Sequence, residues 1–269
     1  MAPAVDWPLA RAAVSTASDR VTTLLRSASS PTAPALGDWD VTDVAVHMSH
    51  VVDVVSALTN GGGNLVDDIW AFSTLTKVMV EGEGKRPLPE IADRIEVSAR
   101  AFLAAMENAA DDGVRSWLVQ GTEQPLSTLT CHVLNELTVH GRDIAVAEGV
   151  PWPIDRSHAN LIVNGFLFPA LASLGGSMLS AEGARARAVL EVRVRGGGRA
   201  WFRLEAGDLT ITTSPQGPVD CYLSVDPVAF LLVAWGRTSQ WGPIARGQLL
   251  AWGRKPWLGV KFRGWMKNP

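Results

Sequence analysis

Cysteine is scarce in this chain: only Cys131 and Cys221 occur, they form no CxxC pair, and so neither a disulfide framework nor a cysteine zinc cluster is available. A reducing compartment follows, and with it a cytoplasmic setting. Tyrosine appears once. There is no excess of charge: the net value is -3, which points to neither a nucleic-acid nor an anionic-membrane partner. Long apolar runs are missing too. The best, Leu161 to Leu174, is interrupted by Asn164, Gly165 and Pro169, and no membrane span is expected. Met1 is not followed by a basic segment and an apolar stretch, so no secretory signal is expected.

What is present is a hydrophobic fraction of 47% over 269 residues, enough for a substantial core in one large domain or two ordinary ones. The first half is acidic, whereas Arg185 to Lys267 is rich in arginine and lysine. Tryptophan is abundant, and Trp201, Trp235, Trp241, Trp252, Trp257 and Trp265 crowd the last third, where core or domain-interface anchoring is expected of them.

Periodicity changes along the chain. Helical spacing is read over Asp6–Arg26, from Asp40 to Leu58, over Val66–Val80, from Pro87 to Ala109, over Ser127–Glu148 and over Ser157–Leu174. Asp40 is placed to cap its helix, with Asp43 in the first turn. Beyond Ala184 the alternation is that of strands, at Ala188–Arg195, Ala200–Glu205, Asp208–Thr213 and Val219–Val225. A capped helix from Asp226 to Trp235, a strand within Arg246–Trp252 and a helix over Lys255–Met266 complete the pattern. The expected architecture is multidomain, an all-α bundle over residues 1–180 followed by a small α+β domain over 186–269.

The Ser127 helix carries His132, Glu136, His140 and Asp143 at spacings of four, four and three, hence on one stripe among Leu134, Leu137, Val139 and Ile144. Polar groups turned into a bundle need a partner, and a divalent metal supplies one. Against this, a Glu and His one turn apart usually form a solvated pair. A single helix rarely closes a metal site. On the Asp40 helix, His47 shares the apolar stripe of Val44 and Val51, which makes it a better inward candidate than His50.

Trp39-Asp40-Val41-Thr42-Asp43-Val44-Ala45-Val46-His47 resembles the W-x-V-x-D-V-x-x-H segment of the mycothiol-dependent maleylpyruvate isomerase family, and Glu136-Leu137-Thr138-Val139-His140-Gly141-Arg142-Asp143 resembles its E-L-x-x-H-x-x-D signature. The resemblance implies a DinB-like bundle that binds zinc through His47, Glu136 and His140. His50 and His132 have no counterpart, and His132 is expected to face solvent in preference to supporting the site. Asp143 either orients a ligand or substrate, or pairs with Arg142 or Arg185. Cys131 lies one position off the stripe and reads as a small core residue.

Residues Leu190 to Met266 are similar to a sterol-carrier-protein-like domain, on the segments Asp220–Pro227, Phe230–Arg237 and Gly247–Gly253. The resemblance implies that Arg237, in a Gly-Arg segment, meets the substrate. The alternative is an arginine that bonds helix-end carbonyls. Together the two resemblances imply a metal-dependent enzyme in which mycothiol, bound at an open metal position, attacks a small electrophile. Release after rotation gives an isomerase, and retention of the adduct gives an S-transferase. Two competing readings remain at this point: a small-molecule or lipid-binding protein without catalysis, and a hydrolase with water in the open position. The electrophile and the oligomeric state are not legible.

Overall fold

A computed structural model describes residues 5–63, 65–109, 111–215 and 217–267. The chain divides into two compact units between Ile154 and Asp155.

The first unit contains α1 (Trp7–Ser27), β1 (Pro34–Leu36), β2 (Trp39–Asp40), α2 (Val41–Thr59), α3 (Ile69–Glu83), α4 (Leu88–Glu107), β3 (Val114–Ser116), β4 (Glu123–Pro125) and α5 (Leu126–Ala147). Helices α1 and α2 each pack against both α4 and α5, which makes a four-helix core; α3 leans on α2. The helix starts follow from local chemistry. Asp6 accepts from the Leu9 amide at the head of α1, and Asp40 and Asp43 cap α2 reciprocally. Helix α5 begins after Pro125, where the Asp112 carboxylate accepts from both the amide and the hydroxyl of Ser127 at 2.7 Å. Nearly every residue from Leu126 to Ala145 is buried, so α5 is the central helix and not an amphipathic face. Two short antiparallel ladders, β1–β2 and β3–β4, interrupt what the sequence suggested was an all-helical region. They are too short to register as alternation.

The second unit holds α6 (Arg156–Ile162), a π-helical turn at Val163–Leu167, α7 (Phe168–Leu174), α8 (Ala181–Arg185), β5 (Ala188–Val194), β6 (Arg199–Glu205), β7 (Asp208–Thr212), β8 (Cys221–Val225), α9 (Pro227–Ala234), α10 (Trp241–Ala245), β9 (Leu249–Trp252) and α11 (Leu258–Trp265). Its sheet has the order β7-β6-β5-β8-β9, antiparallel except between β5 and β8. Phe202 leaves the sheet between Phe168 and Phe262, each ring centroid 5.2 Å away, so α7 and α11 cover one sheet face. The other face presents Glu191, Arg193, Trp201, Tyr222 and Trp252.

Two expectations are corrected. The boundary read near residues 178–186 followed the change of period, but α6 packs on α9 and α7 on β7, so the helical stretch after Asp155 belongs to the sheet unit. By length and composition two helical stretches, Val41–Thr59 and Arg156–Met178, are apolar enough to cross a membrane, where none was expected. The first has 72% of that window buried in the protein, as the core helix of a globular unit would, and the second is broken by the π turn ahead of Pro169.

Candidate metal centre

The capping box of α2 sets the helix phase, and His47 falls two turns later on the side that meets α5. From α5, Glu136 and His140 project one turn apart. One ligand-capable atom from each of His47, Glu136 and His140 lies within 4.8 Å of the others. Glu136 Oε2 is 3.5 Å from His47 Nε2 and 3.4 Å from His140 Nε2. These separations exceed a close charge-assisted hydrogen bond of about 2.7–2.9 Å. The three groups are therefore arranged around a common point, in longer contact than a close ion pair would give. His47 Nδ1 is buried without a hydrogen-bond partner, and its ring lies 5.2 Å from that of Trp39 and 4.8 Å, edge-on, from His140. Two imidazoles and one carboxylate form a donor set that suits zinc and neighbouring divalent ions.

The surroundings hold this set in place. Asp143 Oδ2 lies 3.1 Å from His140 Nδ1, which leaves Nε2 turned to the centre. That contact places Asp143 beside a candidate ligand. Glu136 Oε1 accepts from Asn135 Nδ2 at 2.9 Å and faces His132 Nε2 at 3.6 Å. His132 is therefore not on the solvent side as expected: it is 5% exposed, because α5 is buried on all sides. His50 points elsewhere, to Glu83 at 2.5 Å, and Glu83 also receives Arg94 and Arg86. Cys131 is buried, and burial pushes its thiol up to about 12, so it stays protonated.

Charge is tuned by competition between burial and contacts. Burial alone would raise the Glu136 carboxyl, but hydrogen bonding to His132, His140 and His47 holds it well below the usual carboxylate range. Burial would lower His140, yet Asp143 and Glu136 raise it to about 9. His47 is lowered, by burial first and then by the charge of His140, against the pull of Glu136.

Sequence similarity bears on what this arrangement belongs to. The family model described as the mycothiol maleylpyruvate isomerase N-terminal domain matches residues 11–145, half of the chain and all of α2 and its loop. The chain belongs to the mycothiol maleylpyruvate isomerase family. The matched segment contains His47, Glu136, His140 and Asp143. A crystal structure of the mycothiol-dependent maleylpyruvate isomerase superposes with a TM-score of 0.56 at 11% identity, over 92% of this chain and 93% of that chain. A histidine-to-alanine mutant of the same enzyme superposes equally well. At that identity the likeness is one of fold, and it extends over both a helical region and a sheet-containing region. No curated protein matches.

In the sheet unit, Arg237 Nη1 donates to the Trp235 carbonyl at 2.8 Å, the helix-end role weighed against substrate contact. The tryptophans behave unevenly. Trp201 and Trp265 are buried, but Trp241 and Trp257 are 61% and 55% exposed, so anchoring a core describes only some of them. Sequence reasoning missed Asn135, which donates to Glu136, and Trp117, whose indole nitrogen lies 3.4 Å from His132 Nδ1. Asn135 differs from any other polar residue of α5 only by adjacency to Glu136, and Trp117 lies in a loop with no spacing rule to tie it to α5.

Proposed function

We propose that this chain is a metal- and mycothiol-dependent enzyme acting on a small electrophile, as a cis–trans isomerase or an S-transferase. The observation that carries the reading is the meeting of His47, Glu136 and His140, from two helices, in one buried spot of a chain belonging to this family. His47, Glu136 and His140 would hold a divalent ion, and zinc fits their donor set. Such an ion, with a position left open by three protein ligands, supplies a low-molecular-weight thiol as thiolate at neutral pH.

The rest is done by the chain. Asp143 fixes which His140 nitrogen faces the centre, and the contacts of Glu136 keep it ionised. Burial of α5 removes bulk water and strengthens each of these electrostatic contacts. We assign Arg237 to a substrate carboxylate as a subsidiary part of the reading, because the resemblance of its Gly-Arg segment implies that contact and a guanidinium can hold a carboxylate through two parallel hydrogen bonds. The helical unit is read as a DinB-like bundle and the sheet unit as sterol-carrier-protein-like, in a cytoplasmic protein.

The test joins metal analysis to calorimetric titration with mycothiol, on the wild type and on Glu136→Ala. One equivalent of divalent metal and saturable mycothiol binding are expected in the wild type, with both lost in the variant. A wild-type protein that takes up no metal, or turnover that persists without any thiol, would overturn the reading.

A further inference from the structure

Glu136 has two oxygens in different surroundings. Oε2 looks toward His47 and His140, whereas Oε1 is engaged by Asn135 Nδ2 and faced by His132 Nε2. Which way His132 presents its proton is settled one residue further out. Trp117 Nε1 lies 3.4 Å from His132 Nδ1, and the two rings meet edge to face at 78°. An indole N–H can only donate, so His132 Nδ1 must accept. A neutral imidazole that accepts at Nδ1 carries its proton on Nε2, the atom that faces Glu136.

Trp117 is itself held hard. It is buried, its amide donates to the Thr122 carbonyl at 3.0 Å, and its carbonyl accepts from the Thr122 hydroxyl. The next residue, Leu118, has φ 42°, a left-handed conformation that favours glycine and that a bulky side chain adopts only under constraint. The Leu118 carbonyl accepts from Val66, and the Val66 carbonyl accepts from Gln120. A loop fixed at this many points, with strain at its centre, aims the indole at one target.

We propose that Trp117 and His132 form a positioning relay that sets the His132 tautomer and pins Glu136 Oε1, so that only Oε2 is offered to the metal. The inference rests on the reading of Glu136 as a metal ligand. Neither residue touches the metal or substrate in this scheme. Its consequence is a carboxylate that binds through one oxygen and leaves coordination room for the thiol.

The test uses full-length protein. Imidazole nitrogen NMR of chelator-treated wild type should show His132 unprotonated at Nδ1 and protonated at Nε2. Zinc affinity, by competition with a chelator, should fall about 10–100-fold in Trp117→Phe, the usual cost of removing a partner that orients a ligand. His132→Leu should show a similar fall, and His132→Gln, whose amide can still donate to Oε1, should stay near the wild type. A His132 proton on Nδ1 would overturn the relay. So would a folded Trp117→Phe with unchanged tautomer and unchanged affinity, or equal losses in His132→Leu and His132→Gln. Should Trp117→Phe fail to fold, the wild-type tautomer and the His132 pair decide. If the wild type binds no zinc, the metal reading falls separately and the tautomer measurement decides whether the relay exists.

Discussion

At the scale of single residues, the chemistry of the centre turns on one proton. In metal-free protein His140 is raised to about 9 by Asp143 and Glu136 against its burial, so near neutral pH it carries a proton that a metal must displace. Apparent zinc affinity should therefore rise about tenfold per pH unit toward pH 9 and flatten above it. Replacing Asp143 by Asn removes the first-named support of that proton while weakening the hold on the ring. Affinity should drop about 10–100-fold at high pH, and the flattening should move to lower pH. Chelator competition across pH measures both; a variant with the wild-type profile would remove Asp143 from the scheme. Linkage fixes the sign for stability as well. The folded value of His140 lies above its ordinary 6.5, so its contribution to the metal-free fold is complete below that pH and fades as pH climbs toward 9. Glu136 works in the opposite sense, contributing above the usual carboxylate range and losing its contribution on acidification. The meeting of His47, Glu136 and His140 was legible because helical phase nominated them among several polar residues and the family resemblance singled them out. The role of His132 was not, because its partner Trp117 comes from a loop fifteen positions earlier, and helical phase alone cannot tell an outward polar residue from one on a helix buried all round.

At the scale of elements, one feature fixes the start of α2 and another the packing of α5. The Asp40–Asp43 box was readable from the sequence, and Lys85 bonds both carboxylates. Asp40→Ala should cost about 1 kcal/mol. Urea denaturation would register it as a lower midpoint at unchanged slope. A close approach at Gly141, between His140 and Asp143, was not readable. A Cβ there would meet Trp152 at 2.6 Å and Val21 of α1 at 3.0 Å. Trp152 cannot easily retreat, because its indole donates to the Thr138 carbonyl at 3.1 Å and Arg20 stacks on its ring at 4.1 Å. Gly141→Ala gains about 1 kcal/mol of helix propensity but incurs overpacking of about 1–3 kcal/mol, so a net loss is expected. A melting temperature at or above the wild type would show that Trp152 gives way after all. The π turn at Val163–Leu167 escaped sequence reading for a related reason. Pro169 withholds the amide that an α-helix would use, and which neighbouring bonds rearrange depends on packing rather than on local propensity.

At the scale of the whole molecule, charge and structure divide at the same place. Residues Asp6 to Ile154 contain twenty acids and ten bases, and those from Asp155 onward seven acids and fourteen bases. The composition gradient was visible in the sequence. The boundary was misplaced because helical period was taken to mean the helical unit, whereas α6 and α7 supply cover for a sheet. This distinction predicts different behaviour for two fragments. All of α1 to α5, and all three candidate ligands, lie before Asp155. A fragment ending at Ile154 should therefore melt cooperatively and bind one zinc with nearly the affinity of the full chain. A fragment extended to residue 180 carries Leu161, Ile162, Phe166 and Phe168, buried in the full chain, without the rest of the sheet unit to which they belong. It should expose that apolar surface and aggregate or bind hydrophobic dyes. Calorimetric melting and zinc titration of the two fragments separate the alternatives. If the shorter fragment were unfolded and the longer one well behaved, the helices after Asp155 would belong with the bundle.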